Sequence, residues 1–160
     1  MASSEQTSDL VQLKVHGVIA DPNTDTRIVI LKEGDSDNVM LPIWIGTAEG
    51  QAIEWALGDT VLQRPMSHDL IRSVAEHLEM KIKRVVVTDV RNNTYYASIY
   101  LESRGVERVI DSRPSDAIAL ALRAKAPIYV TQDVLKRRAS DNTELWLDRL
   151  DTKNLGKYEV

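Results

Sequence analysis

The residues of this chain that could do chemistry gather at the starts of three predicted helices. The densest group lies in I-D-S-R-P-S-D-A-I-A-L-A-L-R (Ile110–Arg123), where Asp111, Arg113, Ser115 and Asp116 crowd the polar mouth of an otherwise apolar helix. Ser112, Ser115 and Asp116 can cap the free N–H groups there, and one Asp–Arg ion pair completes a purely structural account. The same helix end also attracts anions, because its unpaired N–H groups and its dipole favour negative charge. A second group, Arg64 and His68 in R-P-M-S-H-D (Arg64–Asp69), stands at another helix start and forms a natural anion site. Taken alone, His68 and His77 read as boundary and surface residues; His68 gains meaning from Arg64 beside it. Glu49, in the first turn of the helix after Gly46, is the third group. Glu49 and Glu54 do not share a helix face, so they cannot form a metal pair by themselves.

No standard catalytic signature accompanies these clusters. The chain has no phosphate-binding Gly-Lys loop, no Gly-x-Gly-x-x-Gly, no His-Glu-x-x-His and no nucleophile elbow. The residues alone lead to polar clusters at three helix starts and to no named reaction.

The elements that must position them are legible from periodicity. Alternation predicts strands over Leu10–Ala20, Arg27–Lys32, Val39–Ile45, Ile82–Val90, Thr94–Leu101, Val106–Ile110 and Ile128–Val130. Pro42 argues that the third of these is an edge strand or carries a bulge. Asp21–Asp25, Arg91-Asn92-Asn93 and Gly105 supply the turns. Helical stripes predict three main helices at about 47–57, 66–79 and 114–125, and Thr131 can cap a short fourth one through Arg138. Thr47 is the expected N-cap of the first. Leu70, Ile71, Val74, Ala75 and Leu78 give the second a broad apolar face. The third is apolar on every side from Ala117 to Leu122 and should be buried all round. Tyr95 and Ala97 share one strand face, Tyr96 and Tyr100 the other, and cross-strand packing is the simplest use of these rings. The expectation is an α+β domain, single and compact, with a mainly antiparallel or mixed sheet of six or more strands. Its expected bounds are 10–138, after a disordered segment 1–9 and before an extension 139–160 carrying Leu145-Trp146-Leu147.

Composition bounds the function. A chain of 160 residues with 43% apolar and 28% charged residues is ordinary for a globular domain with a real core. The absence of cysteine excludes disulfides and thiolate zinc sites, fits a reducing compartment and leads us to expect a cytoplasmic protein. No apolar run approaches a membrane span, and Met1–Asp9 is polar rather than signal-like, so no membrane association is expected. The net charge of −4 means that nucleic acid, if bound, must be held by a local basic patch or a metal. Lys136-Arg137-Arg138 is a basic cluster, of a kind that is usually just a solvated helix end. Trp44, Trp55, Tyr96 and Tyr100 exceed what a small core needs, and we expect a homo-oligomer, dimer or larger.

Three blocks together resemble the bifunctional nuclease domain family, described as having both DNase and RNase activity. They are L-P-I-W-I-G-T-A-E-G-Q-A-I (Leu41–Ile53), R-P-M-S-H-D-L-I (Arg64–Ile71) and the Ile110–Arg123 block, and the similarity extends over about Leu10–Leu135. The resemblance implies a self-associating α+β protein that hydrolyses phosphodiester bonds in DNA and RNA. DNA lacks the 2′-hydroxyl that RNA can use as a nucleophile, so one site acting on both favours activated water. A divalent metal, Mg²⁺ or Mn²⁺, on oxygen ligands is the usual activator, and Asp111, Asp116 and Glu49 are the candidate ligands and catalytic carboxylates. His68 is then the candidate general acid or base, and Arg64, Arg113 and Ser115 the candidate substrate contacts. The alternative is a non-catalytic oligomeric regulatory or interaction module, in which the same clusters are caps and ion pairs.

Overall fold

The computed structural model describes residues 9–35 and 38–140. The expected C-terminal extension from 141 onward, with Leu145-Trp146-Leu147, and all of the expected disordered segment except Asp9, lie outside these residues. Seven strands and four helices follow in the order β1 (Leu10–Ala20), β2 (Arg27–Lys32), β3 (Met40–Ile45), α1 (Thr47–Leu57), α2 (Ser67–His77), β4 (Lys81–Arg91), β5 (Thr94–Ser103), β6 (Val106–Ser112), α3 (Pro114–Ala124), β7 (Ile128–Thr131) and α4 (Gln132–Ser140). The strands form one sheet in the order β3-β2-β1-β7-β4-β5-β6. Every pairing is antiparallel except that of β4 with β7, the pair joined through the long β5–β6–α3 excursion. The sheet is therefore mixed and the fold α+β, as the alternating patterns predict.

Local chemistry explains the joints. Asn92 and Asn93 both take positive φ, 49° and 61°, which is what a two-residue hairpin between Arg91 and Thr94 demands. Pro42 lies opposite Ile30 in β3, the edge strand, where a missing N–H leaves no ladder bond unmade. The other edge, β6, is exposed along almost its whole length, and Glu107, Arg108 and Asp111 discourage a further strand from pairing there.

The main core lies between the sheet and helices α1 and α3. In β2, Val29 and Leu31 enter that core while Ile28 and Ile30 join Ile19 in a smaller cluster, as the two-residue period of a central strand requires. Helix α3 is the most deeply set element: Ala117, Ile118, Ala119, Leu120 and Ala121 are all buried. Ile118 and Leu120 each contribute roughly 1.5–3 kcal/mol through the apolar surface they remove from water. Helix α1 approaches β2 closely because Gly50 has no side chain: a Cβ there would lie 2.6 Å from Cγ of Arg27. Thr131 caps α4 as expected, its Oγ1 accepting a bond from the N–H of Val134 at 3.3 Å.

Several expectations need correction. Thr47 is not the N-cap of α1. Gly46 is, and the Thr47 hydroxyl donates instead to the Asp25 carbonyl at 2.6 Å, tying the helix start to the β1–β2 turn. Ser112, Ser115 and Asp116 do not cap α3 either. Arg113 occupies its N-cap position, no side chain bonds the free N–H groups, and the Ser112 hydroxyl donates to the Arg113 carbonyl. Tyr100, by contrast, packs across strands as expected: it is 7% exposed beneath the guanidinium of its partner Arg84, 4.0 Å from the ring centre. Finally, α2 carries its apolar stripe but buries none of its residues, and Leu70, Ile71, Val74 and Leu78 lie open to solvent.

Candidate functional site

Three of the helix starts that the sequence marks as polar converge in space. Helix α3 packs against both α1 and α2, which brings the first turns of all three to one place. Asp116, in the first turn of α3, is the hub. Its Oδ1 accepts from Nε2 of His68 at 2.9 Å and from Nη2 of Arg113 at 3.2 Å, and its Oδ2 accepts from Nε of Arg113 at 2.8 Å. Arg113 reaches onward through Nη1 to Oε1 of Glu49 at 3.1 Å. His68 from α2, Asp116 and Arg113 from the α3 start, and Glu49 from α1 thus form one continuous chain of hydrogen bonds.

The electrostatics follow from that chain. Burial pushes the Asp116 carboxyl up, but the hydrogen bonds from Arg113 and His68 and the charge of Arg113 outweigh it and hold the group below the usual aspartate range. Asp116 is therefore an anion and can only accept, so the proton on the bonded face of His68 sits on Nε2. Its Nδ1 has no hydrogen-bond partner among the described residues and is the atom left to exchange a proton with something else. The hydrogen bond and charge of Asp116, and then those of Glu49, hold Arg113 above the ordinary arginine value. Three of the five N–H groups of Arg113 are used, two remain, and its side chain is 63% exposed while His68 is 12% exposed. A protected imidazole thus lies beside a guanidinium that can still reach a phosphate.

Glu49 is held in place by an absence. Its carboxylate folds back over Gly46, where a Cβ would lie 2.1 Å from Oε2. Gly46 has φ −69°, a value alanine accepts, so Gly46→Ala should leave the backbone alone and push Glu49 off Arg113. We expect little change in melting temperature and a fall of roughly tenfold in any rate that depends on this cluster, the scale of one lost hydrogen bond to a charged group. A pairing of thermal unfolding with a rate assay checks it, and an unchanged rate would remove Glu49 from the functional unit.

Beside Glu49 and Arg113 opens a cavity of about 290 Å³, lined also by Trp44, Gly46, Tyr95 and Ser115. Ser115 is buried there at 5% exposure. Sequence reasoning pointed to Glu49, His68, Arg113, Ser115 and Asp116, and these are the residues brought together. It missed Gly46, and it missed the pair behind the cluster, Asp69 and Arg123. Arg123 is 6% exposed and donates to Oδ1 of Asp69 at 2.9 Å and to the carbonyls of Ala119 and Ala52. Asp69 also accepts from the backbone N–H of Met66 at 2.9 Å, closing the first turn of α2. The signal was present, since Asp69 follows His68 directly and Arg123 closes the Ile110–Arg123 block.

Two expected members stand apart. Asp111 pairs across β6 with Ser98 of β5, while its neighbour Ile110 pairs with Ile99. Ile99 faces the core beneath α3, so the two-residue period turns Asp111 to the opposite face of the sheet. Arg64 is exposed in the 58–66 connection and lines a different cavity, with Asp69 and Arg123. Among the described residues, no three carboxylate or imidazole groups come together as a metal site. Glu49 and Asp116 both face the Arg113 guanidinium and Asp111 is on the far face, so these three do not fit a shared divalent ion.

A family model described as the bifunctional nuclease domain matches residues 29–143. An uncharacterized protein of Mycobacterium tuberculosis is 35% identical over 124 residues, covering 78% of this chain and 73% of that protein. Bifunctional nuclease 1 of Oryza sativa subsp. japonica is 28% identical over 109 residues, 66% of this chain. Bifunctional nuclease 2 of Arabidopsis thaliana is 28% identical over 107 residues, 65% of this chain. The matched segments make up only 33% and 32% of those two plant proteins.

Proposed function

Because the chain belongs to the bifunctional nuclease domain family, we propose that it hydrolyses phosphodiester bonds in both DNA and RNA at the His68–Asp116–Arg113–Glu49 cluster. The observation that carries this reading is the free Nδ1 of His68, oriented by an ionised Asp116 beside a half-used guanidinium. In this mechanism the two remaining N–H groups of Arg113 hold the non-bridging oxygens of the phosphate, and the helix starts add fixed positive potential. His68 takes a proton at Nδ1 from water as its oxygen attacks phosphorus, the bond to the leaving oxygen breaks, and the proton returns to that oxygen. Water serves both polymers, because it does not need the 2′-hydroxyl. Asp116 and Glu49 act as positioning residues for His68 and Arg113.

The test is cleavage of single-stranded DNA and RNA by highly purified protein, with Asp116→Asn prepared in parallel. Activity that copurifies equally with both belongs to a contaminant and ends this reading. The non-catalytic alternative would then stand, with the cluster as the ion-pair network that clamps three helices.

The expected homo-oligomer finds its best surface in α2 rather than at the tryptophans and tyrosines. Leu70, Ile71, Val74 and Leu78 are each 48–66% exposed on one helix, an apolar stripe of the kind that marks a partner surface. The partner we propose is a second copy. If two α2 helices cross antiparallel with Val74 at the two-fold axis, Leu70 meets Leu78 of the partner subunit, in both directions. Val74→Glu should leave the fold intact, since that side chain is half in water, and convert the dimer to monomer in sedimentation velocity at micromolar concentration. Wild-type protein that is already monomeric there contradicts the proposal. No helix among the described residues is long and apolar enough to cross a membrane.

A further inference from the structure

Arg64 is the sequence-marked residue that the cluster leaves unused, and its surroundings give it a task. It lines a cavity of about 390 Å³ formed where the end of α1, the 58–66 connection, the start of α2 and the end of α3 meet. Trp55, Thr60, Asp59, Arg72 and Lys125 line it too. The size is that of sites for small organic ligands. In a chain with four more acidic than basic residues, four cations line this one space, and one of them, Arg123, is committed to Asp69 and two backbone carbonyls. Neither Arg64 nor Lys125 has a hydrogen bond or ion pair among the described residues. Of the two carboxylates present, Asp69 is engaged by Arg123 and by the Met66 N–H, which leaves Asp59 as an open acceptor.

Lys125 is a further pointer. It ends α3 in the left-handed conformation, φ 54° and ψ 36°, a place that glycine fills without strain. A lysine held there carries a backbone cost in exchange for an amine at the cavity.

We infer that this cavity binds one nucleotide unit: its phosphate on Arg64, Arg72 and Lys125, its base against the indole of Trp55, and its sugar or base donors on Asp59 and Thr60. Cations and one aromatic face are the two features that hold single-stranded nucleic acid without regard to sequence. The first turn of α2 is the wall between this cavity and the cluster, with His68 directed to Asp116 on one side and Asp69 lining the cavity on the other. The inference rests on the nuclease reading for its biological sense, since a bound nucleotide beside the cluster would hold the strand for cleavage, but not for its test.

The experiment is calorimetric titration of the whole chain with thymidine 5′-monophosphate, with thymidine and inorganic phosphate as separate probes. The nucleotide should bind more tightly than either fragment. Arg64→Ala and Lys125→Gly should each weaken it by about tenfold, the scale of one lost contact to a charged group. Arg64 is exposed and glycine suits the backbone at 125, so both variants should melt no lower than wild type, and Lys125→Gly higher. Nucleotide that does not bind, or binds equally to both variants, overturns the inference. Loss of binding in Arg113→Ala with none in Arg64→Ala would put the nucleotide at the cluster and overturn it as well. Protein that binds the nucleotide as expected yet cleaves neither polymer keeps this inference and ends the nuclease reading alone.

Discussion

Asp116→Asn is expected to lower the cleavage rate by about 10²–10⁴-fold, the range for a misdirected proton acceptor. As a simple helix cap Asp116 could become asparagine almost without cost. The structure gives it another job, since it accepts three N–H bonds, one from His68 and two from Arg113, and caps nothing. Asparagine has one acceptor oxygen. If that oxygen stays with Arg113, the amide donates to Nε2 of His68, the imidazole proton moves to Nδ1, and the atom that should accept a proton no longer can. If instead the oxygen stays with His68, an amide faces a guanidinium. Either arrangement leaves a donor against a donor in a half-buried place, costing about 1 kcal/mol of stability. For a chain of this size that is a fall of roughly 2–4 °C in melting temperature. The kinetic signature should lie in kcat more than in KM. Adding His68→Ala to Asp116→Asn should cost little more than either alone, because the two act as a unit. A rate for Asp116→Asn within a few-fold of wild type removes the dyad from the mechanism.

Arg123→Met carries the largest expected effect on stability. The side chain is almost fully enclosed and spends its donors on Asp69 and on two backbone carbonyls, one in α1 and one in α3. Methionine fills similar volume but leaves a carboxylate and two carbonyls without their partner. Breaking a buried pair from one side costs roughly 3–5 kcal/mol, and Asp69 is partly open to water, so about 3 kcal/mol is the expected loss. Thermal unfolding should show a drop of roughly 6–12 °C. The pH dependence gives an independent mark. Burial pushes the Asp69 carboxyl up, but the Met66 N–H and Arg123 more than reverse this and hold it low, as Asp116 is held low in the cluster. A carboxyl with a depressed value in the folded state adds stability that is complete above about pH 4 and fades as pH falls through the lower folded value. Wild type should therefore lose stability steeply below pH 4, and Arg123→Met should lose less over the same interval. Equal slopes would mean that Arg123 does not govern Asp69.

The strands were legible from composition and spacing because an amphipathic strand writes its period into the chain. Tyr95, Ala97 and Ile99 buried against the more open Tyr96 and Ser98 is such a case, while β2, buried on both faces, showed instead as an unbroken apolar run bounded by Arg27 and Lys32. The burial of α3 was equally readable, since a helix apolar on every side has nowhere to go but inside. Caps were less legible. Thr47, Ser112 and Asp116 all have side chains suited to capping, yet Thr47 and Asp116 found partners distant in the chain, Asp25 and His68, and Ser112 turned to the carbonyl of its neighbour Arg113, a competition that residue type alone does not decide.

The sequence by itself determined which kinds of residue stand at the three helix starts, and hence that acid, imidazole and guanidinium groups were available for phosphate chemistry. Only the tertiary structure decided which of them meet. Helix α3, packed between α1 and α2, joins Glu49, His68, Arg113 and Asp116 across 48 and 64 residues of chain. One extra residue of strand before Ser112 turned Asp111 to the far side of the sheet, because side chains alternate while the backbone does not. The 58–66 connection carried Arg64 to a separate cavity for a similar reason: the path of a loop depends on the elements it must join, and those were fixed by burial at distant positions.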